Sequence, residues 1–237
     1  MIVVAVDAAT DRLSVAAGSA AGPIVERTAA GARRHAGLLV SFVGEALAEL
    51  GLGLADVGAV AVSDGPGSFT GLRVAAAWAK GFIAESGLPL YVASSLLVRA
   101  RRAGPGAGLV LGAGSAMRGE WFVGAYRFGA DDSVETVVPP RVARAAEPWE
   151  GPPPRAVIGD DFAEAVARWS GAAAWVGGGA GLPEAADLIR LIGVPGGAEL
   201  VTDPSTWEPE YGRLAEAQVK WEREHGRALP DSAGLGG

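Results

Sequence analysis

The chain has 237 residues, no cysteine and a net charge of −7. Hydrophobic residues make up 49% of the chain and charged residues 20%, which is typical of a protein with a sizeable core and not of a disordered one. The missing cysteines exclude a disulfide framework, a thiol nucleophile and a cysteine-ligated metal. An acidic chain is also a poor candidate for binding nucleic acid by itself, because neutralisation of the phosphates by basic residues supplies most of the binding affinity.

The first half predicts alternating strands and helices. Its N-terminal apolar run stops at Asp7, so it reads as a strand and not as a signal peptide. No apolar stretch reaches the ~20 residues that a membrane span needs, and a soluble cytoplasmic protein is expected. The predicted strands are Ile2–Val6, Leu13–Ala17, Ile24–Thr28, Val57–Val62 and Leu90–Ala93, and the predicted helices run from Arg34 to Leu50 and from Ser68 to Glu85.

The second half repeats this plan in weaker form. Its predicted strands are Gly108–Ala113, Trp121–Phe128, Val134–Val138, Ala156–Ile158 and Trp175–Val176, with helices near 161–169 and 183–192. Two β-β-β-α-β-α units with mixed sheets favour the two-lobed α/β fold shared by actin, sugar kinases and heat-shock ATPases, here with a degenerate second lobe. The expected lobes are 1–103 and 104–229, followed by a disordered tail at 230–237.

Basic residues cluster at Arg33-Arg34 and at Arg99, Arg101 and Arg102, and both clusters are interpreted as solvated faces. The tail aromatics Trp207, Tyr211 and Trp221 are expected to pin the C-terminal segment to the body, base stacking being the alternative. The glycines at 177–179 are either an adenosine-binding loop or one more turn in a glycine-rich chain.

A glycine-rich segment joins a predicted strand to the second helix. It reads Asp64-Gly65-Pro66-Gly67-Ser68-Phe69-Thr70-Gly71-Leu72-Arg73. Its glycines permit close backbone approach, and Ser68 is a good N-cap. Two interpretations stay open: a well-capped turn, and a loop that cradles an anion at the helix N-terminus. The segment is not a P-loop, because no Gly-Lys-Ser/Thr follows its second glycine.

Several segments, in order along almost the whole chain, together resemble the TsaB family. They are Asp7-Ala8-Ala9-Thr10, Arg34-His35, Leu38-Leu39, the Gly65–Arg73 loop, Ser94-Ser95-Leu96, Arg118-Gly119-Glu120-Trp121-Phe122 and Pro209-Glu210-Tyr211-Gly212-Arg213. The glycine loop is specific, whereas each of the other matches is weak by itself.

The resemblance implies a non-catalytic scaffold in the synthesis of threonylcarbamoyladenosine, at the adenosine next to the tRNA anticodon. The implied partners are the catalytic paralogue TsaD and the ATPase TsaE, with tRNA bound through the complex. A homodimer is a separate hypothesis, because the same apolar helices could pair symmetrically when the partner is missing. A small ATP-binding enzyme of the same superfamily is the alternative. No cofactor is required, but ATP or ADP at the junction with the partner stays open. Protease activity is not expected.

Departures from related patterns weaken the enzymatic alternative. Ala9 replaces a glycine of nucleotide-hydrolysing relatives, and Ser115 replaces their second acid. In the hairpin, Ser115-Ala116-Met117 stands where the family has Asp-Ala-Arg. The metal-binding His-x-x-x-His pair of TsaD is reduced to His35, because position 39 is leucine. No metal site is therefore expected.

Two sets of candidate residues follow. The candidate phosphate or junction loop comprises Asp7, Thr10, Gly65, Gly67, Ser68, Thr70, Gly71 and Arg73. The second helix is apolar on nearly all sides, which is typical of a helix buried in its own lobe or covered by a partner. The resemblance favours the partner, and the candidate interface comprises His35, Leu38, Leu39, Phe42, Gly71, Leu72, Ala75, Trp78, Ala79 and Phe82.

Overall fold

The structure, a computed structural model, describes residues 1–31, 35–104, 106, 108–116, 119–144, 149, 151–160, 166, 170–172 and 174–212, and only the backbone of His35. Some predictions lie outside these residues. They concern Arg33-Arg34, the His35 side chain, Met117, Arg118, most of the helix near 161–169, Arg213, Trp221 and the tail at 230–237.

The first sheet is mixed, as predicted. Its strands are β1 (Ile2–Asp7), β2 (Arg12–Gly18), β3 (Ile24–Ala30), β4 (Val57–Ser63), β5 (Leu90–Ala93) and β11 (Glu199–Leu200). The strand order is β11–β5–β4–β1–β2–β3. Strands β1, β2 and β3 form an antiparallel meander, while β1, β4 and β5 run parallel. Strand β11 was not predicted, and it pairs antiparallel with β5.

The second sheet repeats this arrangement. Its strands are β6 (Gly108–Ser115), β7 (Glu120–Phe128), β8 (Val134–Arg144), β9 (Ala156–Gly159) and β10 (Trp175–Val176). Their order, β10–β9–β6–β7–β8, matches β5–β4–β1–β2–β3 strand for strand. The internal repeat and the two-lobed α/β fold are thereby confirmed.

Four helices have their bounds among the described residues: α1 (His35–Glu49), α2 (Phe69–Ser86), α3 (Ser95–Arg101) and α4 (Ala185–Leu191). Short 3₁₀ turns cover Leu54–Asp56 and Gly178–Gly181. Helices α1, α2 and α4 agree with the predicted helices to within about two residues. Helix α3 was not predicted. All its residues from Ser95 to Ala100 are buried, so it shows no amphipathic pattern.

The helices and sheets form layers. Helices α1 and α2 cover one face of the first sheet, where Val6, Leu39 and Ala79 share a core. Helices α3 and α4 lie between the two sheets, in a core that includes Ala5 and Val110. The chain crosses over here: α3 packs mainly on β6 and β7, whereas α4 packs on β1, β2 and β4. The lobe boundary at residue 103 stays a prediction.

Candidate functional site

Asp7 is the last residue of β1 and is fully buried. Its Oδ1 accepts a hydrogen bond of 3.2 Å from the backbone N–H of Ala9. Burial raises the pKa of Asp7, and interactions with Ser63, Ala9, Arg99 and Arg12 act in the opposite direction. The candidate loop therefore begins at a buried carboxylate whose surroundings include two arginines.

The glycine loop packs directly against the turn that follows Asp7. The Ser68 N–H donates to the Ala9 carbonyl oxygen over 2.7 Å. A side chain at Gly67 would overlap the carbonyl oxygen of Ala9, and one at Gly71 would overlap that of Ala8. The close backbone approach predicted from the glycines is therefore present, but the neighbour is the chain itself.

Ser68 caps α2, as the sequence predicts, with its Oγ accepting from the Gly71 N–H over 3.2 Å. The capped-turn interpretation thus describes what this loop does. In the anion-cradle interpretation, the Ser68 N–H and the loop surface at Gly67 and Gly71 would contact the anion. The chain's own carbonyl groups already occupy these positions. Thr70 and Arg73 remain exposed.

The segment from Trp207 to Gly212, here called the strap, covers the other side of the loop. The Glu210 N–H donates to the Asp64 carbonyl oxygen over 2.6 Å. The Tyr211 ring lies 4.6 Å from that of Phe69 between centroids, and the Lys80 ammonium lies 5.8 Å from the centre of the Trp207 ring. Both described tail aromatics therefore pin the strap to the body, as predicted.

Asp64 lies between the loop and the strap. Burial, with further contributions from Glu210 and Glu199, raises its pKa to about 7. On the inner side, the Tyr126 hydroxyl donates to Ser94 Oγ over 3.1 Å, and burial raises the pKa of Tyr126. This end of β4 thus holds an acid that titrates near neutral pH.

The solvated-face interpretation of the second basic cluster is wrong for Arg99, which is only 4% exposed. Its Nη1 donates to the Ala113 carbonyl oxygen over 2.6 Å and lies 3.8 Å from Asp160 Oδ2. Arg102 is also mostly covered: its Nε donates to the Ala180 carbonyl oxygen over 2.7 Å. Arg101 pairs with the exposed side chain of Asp132.

The buried ion pair between Arg99 and Asp160 was not predicted from the sequence. The signal available for Arg99 was its place in Leu96-Leu97-Val98-Arg99-Ala100, directly after three large apolar residues. Nothing in the sequence pairs it with a carboxylate 61 residues away, because the fold alone brings the two together. Asp160 Oδ2 also accepts from the Ser115 N–H over 2.9 Å.

The candidate interface needs correction. Leu39, Leu72, Ala75 and Ala79 are at most 1% exposed, and Gly71 is buried too, so they belong to the protein's own core. Leu38, Phe42, Trp78 and Phe82 are half-buried. The surface of these helices, here called the α1–α2 face, instead exposes Gly37, Val40, Gly44, Ala77, Gly81 and Ala84.

In the described part of the chain, no group of three His, Cys, Asp or Glu side chains could hold a metal ion. Among these same residues no helix is long and apolar enough to cross a membrane. The glycines at 177–179 lead into a 3₁₀ turn, and their role in adenosine binding stays a prediction.

Comparison with known proteins points to one family. The model of the family described as "TsaD: tRNA N6-adenosine threonylcarbamoyltransferase" matches residues 23–166. The tRNA threonylcarbamoyladenosine biosynthesis protein TsaB of Haemophilus influenzae is 42% identical over 71 residues, 30% of each chain. The TsaB protein of Bacillus subtilis is 29% identical over 175 residues, 70% of this chain and 74% of that protein.

A solved structure from Pseudomonas aeruginosa, described as similar to the peptidase YeaZ, matches with a TM-score of 0.74 and 27% identity. The match covers 90% of this chain and 99% of that one. Among curated relatives, the matched segments span as little as 19% of the relative's length.

Proposed function

Because the chain belongs to the TsaB family, within the wider TsaD family, we propose that it is an accessory subunit in the synthesis of threonylcarbamoyladenosine on tRNA. The proposed role is to pair with TsaD and to help recruit TsaE, while tRNA is held mainly by the complex. The proposal places the chain in the cytoplasm. The structural observation that supports the proposed pairing with TsaD is the exposed α1–α2 face.

The α1–α2 face has the chemistry of an interface core. From Ala36 to Gly44 α1 carries no charged residue, and charge depletion marks the centres of protein interfaces. Val40 is 66% exposed, an unusual cost for a large apolar side chain that faces only water. Gly37, Gly44 and Gly81 have no neighbouring heavy atom within 4 Å of a Cβ position, so another helix could approach closely.

Aromatic side chains border this face. Trp78 and Phe82 are half-buried, and their rings lie 5.2 Å apart. Such partly exposed aromatics are frequent energetic centres of interfaces. Near the end of α1, the carboxylates of Glu45 and Glu49 both form ion pairs with Arg27. The centre of the α1–α2 face is therefore left apolar. A helix pair of similar character on TsaD would complete the packing.

We propose that the chain acts without catalysis of its own. The turn that would receive a phosphate in a nucleotide-hydrolysing relative is packed against the backbone of the glycine loop. We do not propose a peptidase role, because no Ser/His/Asp set in the sequence has a spacing that suggests a catalytic triad. No observation in the structure favours the ATP-binding enzyme over the accessory subunit.

Co-purification with tagged TsaD from the same organism tests the proposal. Gly81→Arg places a long cation on the exposed face, where a side chain meets nothing within 4 Å, so the fold should survive. Ala130→Arg, at an exposed turn of the second sheet, is the matched control. We expect the unmodified chain and Ala130→Arg to bind alike, and Gly81→Arg to bind at least about tenfold more weakly. Undiminished binding by Gly81→Arg would refute this face as the partner surface.

Light scattering distinguishes the other assembly. We expect the isolated chain to use the same face in a homodimer, so that Gly81→Arg is monomeric and TsaD competes with self-association. A homodimer that persists in Gly81→Arg would place self-association elsewhere on the molecule.

A further inference from the structure

From Thr70 to Ala84 the exposed residues of α2 form one stripe, and Arg73 carries its only charge. The exposed positions in this range are 70, 73, 77, 81 and 84. Their spacing of three and four residues places them on one side of the helix. Arg73 therefore extends the α1–α2 face toward the glycine loop. It lies about 12 Å along the helix axis from Gly81, so a single interface of standard size covers both residues.

The Arg73 guanidinium is held in place by an aromatic stack. Its Cζ lies 5.2 Å from the centre of the Phe69 ring, one helical turn earlier. The Phe69 ring in turn lies 4.6 Å from the Tyr211 ring of the strap, between centroids. A guanidinium stacked on a ring keeps N–H groups available at its edge and loses little conformational freedom on binding. Arg73 is thus oriented before a partner arrives.

Arg73 also differs from other surface arginines in its charge partners. Within the described ranges it forms no ion pair, whereas the exposed Arg127 and Arg144 each pair with a glutamate. A cation without a counter-ion at the border of an apolar surface can take a charge from outside, because no existing pair has to be broken first.

We propose that Arg73 is a specificity residue of this surface, whose guanidinium donates hydrogen bonds to a carboxylate of the protein partner that covers the α1–α2 face. This pairing rests on the proposed function, because TsaD is taken as the partner. The apolar residues of the face supply contact area but fix no orientation. A single oriented charge at the border accelerates the encounter and selects the docking orientation.

A carboxylate fits this position better than the phosphates of RNA. The pKa of Tyr211, within the stack, is raised by burial and by the neighbouring Glu208 carboxylate. Glu210, in the same strap, is exposed as well. An RNA strand would bring a row of phosphates past these carboxylates, whereas a protein needs to present only one carboxylate to Arg73.

Binding kinetics of the full chain with TsaD from the same organism test the pairing. Arg73→Glu reverses the charge, and we expect it to slow association at least about tenfold at low salt. Arg73→Lys keeps the charge and should recover most of the rate. Arg144→Glu is the matched control, because it changes the net charge equally on the second sheet, and it should alter the rate by less than about twofold. The melting temperatures should stay within about 2 °C of the unmodified chain.

Salt dependence gives a readout that a merely structural role would not change. Raising sodium chloride from about 50 mM to about 500 mM should slow association of the unmodified chain and of Arg144→Glu more than that of Arg73→Ala. Equal effects of Arg73→Glu and Arg144→Glu would overturn the proposal, as would an unchanged salt dependence in Arg73→Ala. Binding of tRNA by the isolated chain that Arg73→Glu abolishes would also overturn it, because Arg73 would then face phosphate.

Failure of the proposed function has a different result. An unmodified chain that does not bind TsaD would overturn both the function and the pairing. Binding that is lost in Gly81→Arg but kept in Arg73→Glu would overturn only the pairing of Arg73.

Discussion

The surroundings of a single residue can change its pKa strongly, and Asp64 is the clearest case in this protein. It directly follows β4, beneath the strap, and burial together with Glu210 and Glu199 raises its pKa to about 7. The folded chain therefore holds the Asp64 proton more tightly than the unfolded chain does. Its contribution to stability is fully present below the ordinary pKa of 3.8 and is lost as the pH rises through about 7.

Replacing Asp64 by asparagine should remove this pH dependence. We expect Asp64→Asn to gain stability relative to the unmodified chain as the pH rises, by on the order of 2 kcal/mol between about pH 5.5 and about pH 8.5. Urea unfolding at the two pH values measures the difference.

Asp131→Asn is the control for that measurement. The Asp131 carboxylate accepts hydrogen bonds from Ser133, which lower its pKa, so it is ionised at both pH values. Its effect on stability should be the same at each. If the effect of Asp64→Asn were equally independent of pH, the raised pKa of Asp64 would be wrong.

Features of single residues can be predicted from the sequence when they depend on residue type and on neighbours along the chain. The Ser68 cap and the close approach at Gly67 follow from residue type and spacing, and both are present. The burial of Arg99 could not be derived, because Asp160, the acid it pairs with, lies 61 positions further along the chain. The same holds for Asp64, whose pKa depends on residues near position 200.

Elements are positioned by where their backbones touch, and the start of α2 shows this. Its first turn rests on the Ala8-Ala9 backbone through glycines that leave no room for a Cβ. The position of α2, and with it that of the α1–α2 face, is thus set by the glycine loop.

A matched pair of glycines tests this dependence. Gly71→Ala should destabilise the chain by about 1–3 kcal/mol, because the new methyl overlaps the Ala8 carbonyl oxygen. Gly81→Ala lies on the same helix with nothing within 4 Å, and should stabilise by about 0.5–1 kcal/mol through helix propensity. Chemical denaturation gives both values. Equal effects at the two positions would contradict the packing described for Gly71.

Element prediction succeeds where hydrophobic periodicity is present. Helices α1 and α2 each cover a sheet with one face, and their spacing predicts them. Helix α3 lies between two sheets with its residues Ser95 to Ala100 all buried. Its sequence therefore does not alternate between apolar and polar faces, and hydrophobic periodicity cannot predict it. Strand β11 has only two residues and pairs with β5 after a separation of more than 100 residues, which no local signal encodes.

At the scale of the whole molecule, the two halves are interlocked. Helix α4 belongs to the second half by sequence but packs on the first sheet, where the N–H groups of Ala185 and Ala186 donate to Ser14 Oγ and Glu26 Oε1 over 2.8 and 3.3 Å. Strand β11 then completes the edge of that sheet. Residues 1–103 alone would lack both elements.

The interlocking predicts one cooperative unfolding transition for the full chain. Calorimetry should give a van't Hoff enthalpy equal to the calorimetric one. A fragment of residues 1–103 should show no cooperative transition, because α3 and the inner face of the first sheet would be exposed. Two separate transitions in the full chain would instead support independent lobes.

We propose that this chain supports tRNA modification as a partner and not as a catalyst. Reconstituted threonylcarbamoyl transfer to tRNA by TsaD and TsaE, with and without this chain, tests it most directly. We predict transfer with the unmodified chain and with Ala130→Arg, and little transfer without the chain or with Gly81→Arg. Equal transfer in the absence of the chain would contradict this role.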